Sequence, residues 1–265
     1  MSKFILGDCK DILKDISNNS IDLIITSPPY NINLKYNNYK DKKPREEYLQ
    51  WIHDIFVELK RVLKDDGNIF LNMGYTNKDP YISMEVALKL KDIFILQNNI
   101  TWIKATDTEG HFKPINSKRY LNLTNENIYH FTKSGDIPVN KKIIPYKDKS
   151  NLICRRTGKI KEDGRCKGNS WFIPYAQKNK KGIHPCIFPD ELVEMCIKIS
   201  NIKSGVILDC FCGSGTTIRV GEKYNLSGIG IDTDELYINH CITTIGINST
   251  AVNQFYQNNN QNKNV

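Results

Sequence analysis

The chain has no apolar run approaching the length of a membrane-spanning helix. Its opening Met-Ser-Lys-Phe-Ile-Leu-Gly-Asp lacks the charged, apolar and small-residue zones of a secretory leader. Both absences point to the cytoplasm and away from a membrane. Eight cysteines are scattered through 265 residues with no CxxC pair, so a disulfide framework is not expected. Cys154, Cys166 and Cys186 lie in a loop-rich stretch, but their spacing matches no zinc pattern, and free thiols are the expectation. The third glycine of a dinucleotide fingerprint is also missing: after Gly213-Ser-Gly215 the position that G-x-G-x-x-G reserves for glycine holds Ile218.

What the chain has is positive charge, and that charge is local. The formal net charge is +8. Between Lys141 and Lys181 stand thirteen lysines and arginines against three acids, a net of +10, which leaves the remainder at −2. A polyanionic partner for this segment is the natural inference. Trp171, Phe172 and Tyr175 interleave with the charge, either as ordinary apolar anchors or as part of a nucleic-acid surface.

The hydrophobic pattern is that of an α/β protein. Phe4-Ile-Leu, Ile21–Thr26, 68–73, 94–104, 126–132, Gly205–Asp209 and 228–232 read as strands. Residues 46–63 place Tyr48, Ile52, Ile55, Phe56, Leu59, Val62 and Leu63 at helical spacing, and Asp66-Gly67 reads as a turn. Helices are also expected over 81–91, 190–199, 216–224 and 235–245. Such alternation implies an open, largely parallel sheet covered on both faces. From Gly135 to Ile183 periodicity fails, and so long an irregular stretch is usually functional or mobile. The last fifteen residues, rich in Asn and Gln, read as disordered.

Two motifs carry chemistry. The first, Thr26-Ser-Pro-Pro-Tyr30, directly follows an apolar strand. The prolines fix the backbone and leave carbonyls without neighbouring N–H partners, Ser27 adds a hydroxyl, and Tyr30 adds an aromatic face for a flat ring. The second, Asp209-Cys-Phe-Cys-Gly-Ser-Gly-Thr-Thr217, joins a strand to a helix through a glycine turn, and Asp232 ends the next strand, where an acid can accept from ribose hydroxyls. For the glycines alone a plain tight turn would suffice. With strand, glycine pair, helix, strand and acid in succession, a nucleoside cofactor is the better reading.

Together the motifs resemble those of the amino-methyltransferase family of DNA-modifying enzymes, which carry Asp/Asn/Ser-Pro-Pro-Tyr/Phe and Asp-Pro-Phe-x-Gly-Ser-Gly-Thr-Thr. Their order here, catalytic first and cofactor last, is similar to the permuted β group, often found in restriction-modification systems. The resemblance covers roughly residues 4–245, with Cys210 standing where the family usually has Pro. It implies a Rossmann-like, class I methyltransferase fold: a seven-stranded, mainly parallel sheet with one antiparallel strand. The methyltransferase domain would then comprise 1–137 and 184–250, with a target-recognition region at 138–183 and a tail at 251–265.

The resemblance also implies roles. S-adenosyl-L-methionine would be held by Asp8, Cys9, His184, Pro185, Phe188, Asp209, Phe211, Gly213, Ser214, Gly215, Thr216, Thr217 and Asp232, although Cys9 also reads as packing. Ser27, Pro28, Pro29 and Tyr30 would be catalytic, acting on a base flipped out of double-stranded DNA. Arg155, Arg156, Lys159, Arg165 and Lys167 would contact DNA; independently of the resemblance, residues 31–45, with Tyr36, Lys40, Lys42, Lys43 and Arg45, read as a mobile loop that could close over it. Ser at the first catalytic position goes mostly with cytosine N4 in this family, and Asp with adenine N6. Cytosine N4 is therefore the expected acceptor. Adenine N6, RNA, a protein amide, or a catalytically silent DNA-binding role are the alternatives. A cognate restriction endonuclease is a possible partner, and the enzyme would be a monomer or homodimer.

Overall fold

A computed structural model describes residues 2–104, 117–144, 164–175 and 189–245. In chain order the strands are β1 (Lys3–Leu6), β2 (Ile21–Thr26), β3 (Leu63–Met73), β4 (Ile95–Ile103), β5 (Asn125–Thr132), β6 (Ser170–Phe172), β7 (Gly205–Asp209) and β8 (Leu226–Asp232). The helices are α1 (Cys9–Ile12), α2 (Arg45–Val62), α3 (Ile82–Lys89), α4 (Asp190–Ser200), α5 (Thr216–Lys223) and α6 (Glu235–Ile245). One sheet takes the order β1-β8-β7-β2-β3-β5-β4-β6, and β5 alone runs against the rest. Among the described residues the sheet therefore has eight strands where the family resemblance implies seven.

The additional strand is β6, which lies in the stretch that lacks periodicity. Three residues are too few to generate a readable alternation. Pairing with β4 nevertheless buries Trp171, while Phe172 faces outward. β3 also departs from expectation, because it continues through Asp66-Gly67 instead of starting after a turn there. Its register against β2 jumps from Ile21↔Leu63 to Leu23↔Asn68, so residues 64–67 bulge out of the ladder.

Alternation along the central strands feeds two cores. Ile24, Ile69 and Leu71 face α1, α2 and α3, whereas Leu23, Ile25 and Phe70 face α4 and the partly exposed Tyr224 at the end of α5. Burying each such side chain contributes about 1.5–3 kcal/mol, which accounts for the near-continuous apolar run in β2. His130 on β5 belongs to this packing and not to a site. It stacks on Phe70 at 4.5 Å, lies between Asn68 and Asn98, and is driven by burial down to a pKa of about 4.

Candidate active site at the carboxyl edge of the sheet

In open α/β sheets ligands gather beyond the carboxyl ends of the strands. Here that edge presents, in sheet order, Asp8 after β1, Asp232 on β8, Asp209 on β7, Ser27 after β2, Asn72 on β3, Glu126 on β5 and Lys104 after β4. Because β5 is antiparallel, Glu126 stands at its beginning and still reaches this edge, opposite Trp102. The first three residues face a glycine turn, and the last four surround the Pro-Pro-Tyr turn. The halves meet between the neighbouring strands β7 and β2. There the Thr26 hydroxyl donates to Asp209 Oδ1 at 2.8 Å, with both residues buried.

The catalytic turn is held from several sides. Tyr48 on α2 donates its hydroxyl to the Pro29 carbonyl at 2.7 Å. Among the described residues none donates to the carbonyl of Pro28. The Ser27 and Tyr30 hydroxyls lie 2.8 Å apart. Asn72 Nδ2 donates to the Tyr30 hydroxyl at 2.6 Å and to Glu126 Oε2 at 2.7 Å, and Tyr30 donates to Glu126 Oε2 at 3.2 Å. The other Glu126 oxygen is paired with the Lys104 ammonium. That ammonium also lies 4.8 Å from the ring centroids of Trp102 and Tyr175. Gly74 leaves room for Tyr30: a Cβ there would come within 2.5 Å of the ring.

On the cofactor side, Asp232 accepts the Gly213 N–H at Oδ2 (2.8 Å) and the Asp234 N–H at Oδ1 (2.9 Å). Gly213 and Gly215 have φ of 46° and 77°, and a Cβ on Gly215 would strike Cys241 Sγ at 2.8 Å. The turn thus requires its glycines for conformation and packing before any ligand is considered. Asp8 is exposed, caps α1 through the Lys10 N–H, and is brought beside Asp232 by the Leu6↔Asp232 register. Phe211 packs edge-on against Trp51 at 5.6 Å. Ser214 is partly exposed, whereas Thr216, Thr217 and Cys9 are buried, and Cys9 serves as core packing. Burial pushes Asp209 up to a pKa of about 6, while the hydroxyls beside it, Thr26 among them, oppose the shift.

Segment 31–43 is tied down by Asp41, whose buried carboxylate accepts the backbone N–H groups of Asn31, Ile32 and Leu34. From there Asn37 donates to Asp234 at 2.7 Å. The segment therefore packs toward the cofactor half. The described parts of the basic segment pair with each other: Ile144 bridges to Arg165, and the Lys167 N–H donates to the Lys141 carbonyl at 2.7 Å. Arg165 is exposed and Lys167 half-buried at this base. His184, Pro185, Phe188, Arg155, Arg156 and Lys159 lie outside the described residues, as does the tail from 251. Sequence reasoning passed over Asn72, Lys104 and Glu126, because each reads as one more polar residue at a strand end. Only the strand order brings them to Tyr30.

With this geometry in view, comparison with known proteins is specific. Residues 21–243 match the N6/N4 methyltransferase family model, described as DNA methylase. A type II methyltransferase, M.BglII of Bacillus subtilis, is 30% identical over 254 residues, covering 90% of this chain and 67% of its own. Among solved structures, the cytosine-N4-specific PvuII DNA methyltransferase superposes with a TM-score of 0.69 at 19% identity, over 97% of this chain and 90% of that one. The M1.HpyAVI–SAM complex gives 0.63 at 20% identity, over 93% and 100%. Family model, relative and folds agree, and the chain belongs to the N6/N4 DNA methylase family.

Proposed function

We propose that the protein transfers a methyl group from S-adenosylmethionine to N4 of a cytosine flipped out of double-stranded DNA. The observation that carries this reading is the Thr26–Asp209 contact, which sets the turn bearing Ser27 directly beside the glycine turn. The residues fit such a cofactor. Asp8 and Asp232 stand at the mouth of a glycine turn, Gly213-Ser-Gly215, that holds neither Lys nor Arg. Two carboxylates would repel a pyrophosphate, but they suit ribose hydroxyls and a cationic sulfonium. When bound, the cofactor supplies an electrophilic methyl group.

The protein's part is positioning and oriented dipoles. The Pro28 carbonyl and Ser27 Oγ accept from the amino group, which draws the nitrogen lone pair out of conjugation with the ring. Tyr30 and the aromatic side chains nearby supply apolar surface for the base. With the cofactor bound, its sulfonium would supply the methyl group in line with this nitrogen and keep the C–S electron pair, and the nitrogen's extra proton would pass to solvent. The basic segment and its anchor at the sheet edge would neutralise phosphates and read base edges. A cognate restriction endonuclease acting on the same site belongs to this reading.

A second reading, adenine N6, keeps the same turn and the same acceptors. Both bases offer an amino group beside a ring acceptor. The test is nucleoside mass spectrometry on DNA from cells expressing the protein, beside a Ser27→Ala control. New N4-methylcytosine that is absent from the control is the expected result. N6-methyladenine would move the acceptor to adenine, and neither base would overturn DNA as the substrate.

A further inference from the structure

The hydroxyls of Ser27 and Tyr30 are 2.8 Å apart, and either could donate to the other. The answer matters for any acceptor role of Ser27, because an O–H aimed at Tyr30 leaves the serine lone pairs for the substrate. An O–H accepted from Tyr30 would use one of those lone pairs instead. The neighbours determine the direction. Glu126 Oε2 is 3.2 Å from the Tyr30 oxygen, and a carboxylate only accepts, so the phenolic proton points to Glu126. A phenol has one proton, so the Ser27–Tyr30 bond must use the serine's.

Asn72 supports the same assignment. Its Nδ2 is 2.7 Å from Glu126 Oε2, and turning the amide over would set two acceptors at that distance. Lys104 holds the carboxylate from its other side, with both partners of the ion pair largely buried. An ion pair buried at a binding edge is weak evidence of a stabilising role, which leaves its charge to be explained.

We infer that Glu126 is a positioning residue that fixes the direction of the Ser27–Tyr30 hydroxyl chain, so that Ser27 presents lone pairs to the target amino group, with Lys104 holding Glu126 in place. The inference rests on Ser27 being the acceptor, as proposed above, and applies to cytosine and adenine alike. Glu126 acts through Tyr30 and need not touch the base.

The test is steady-state kinetics on DNA carrying the methylation site mapped from the wild-type enzyme, whose activity is established first. Without wild-type methylation of DNA the proposed function fails, and this inference falls with it. With an active wild type, Glu126→Ala should lower kcat about ten- to a hundredfold, the equivalent of one lost charge-assisted hydrogen bond. KM for DNA and cofactor Kd should stay within about twofold. Tyr30→Phe combined with Glu126→Ala should be no slower than Tyr30→Phe alone, because the carboxylate acts through that hydroxyl. Glu126→Ala leaves the Lys104 ammonium buried and unpaired, so the uncharged pair Lys104→Met with Glu126→Leu, which removes charge and acceptor together, serves as the second variant. It should show the same loss in kcat. Unchanged kcat in both variants, or additive losses with Tyr30→Phe, would overturn the assignment.

Discussion

Thr26 and Asp209 lie 183 residues apart in sequence and 2.8 Å apart at their side-chain oxygens. Thr26 immediately precedes the catalytic turn, and Asp209 opens the cofactor turn. Asp209 Oδ1 also accepts the Phe211 N–H at 3.1 Å, so one buried oxygen fixes the starts of both loops. Replacing Thr26 with Val keeps the shape and removes the donor. The expected cost is about 1–2 kcal/mol in urea unfolding, with a several-fold rise in cofactor Kd by calorimetry. A variant as stable as the wild type, with unchanged cofactor binding, would show that the contact does not organise the site.

The same carboxyl should make stability depend on pH. Its folded-state pKa is raised to about 6 by burial, above the ordinary 3.8. The stabilisation therefore belongs to the protonated form: it is fully present below the unfolded value and is lost as pH rises through about 6. Asp209→Asn retains an acceptor oxygen and removes the titration. Relative to that variant, the wild type should lose on the order of 2–3 kcal/mol between pH 4 and pH 7. Parallel stability curves for the two proteins would refute the shift.

Asp232 separates scaffold from ligand contact. It accepts two backbone N–H groups as well as facing the turn, so Asp232→Ala should loosen the turn and weaken the cofactor together. Asp232→Asn keeps an acceptor and loses the negative charge. We expect Asp232→Ala to raise the Kd of S-adenosylhomocysteine about ten- to a hundredfold, with Asp232→Asn intermediate and close to wild type in melting temperature. Calorimetric titration checks both, and an unchanged Kd in the alanine variant would remove Asp232 from the cofactor site.

By itself the sequence determined the local chemistry. The run Ile21–Thr26 had to be a buried strand, because apolar β-branched residues on both faces leave no exposed side, and the prolines had to end it. Gly213 and Gly215 had to form a turn, as their positive φ values bear out. Both motifs were therefore legible at strand ends, and the order of strands and helices was legible from periodicity. Three-residue β6 was not, because so short a segment carries no period, and the turn expected at Asp66-Gly67 proved to be a bulge within β3. Only the tertiary structure decided which polar residues share the edge. Glu126 becomes a neighbour of Tyr30 because β5 is inserted antiparallel between β3 and β4, and Lys104 reaches it because β4 ends beside the start of β5. Strand order is set by how whole faces pack on helices, a non-local choice, so no window of sequence contains it.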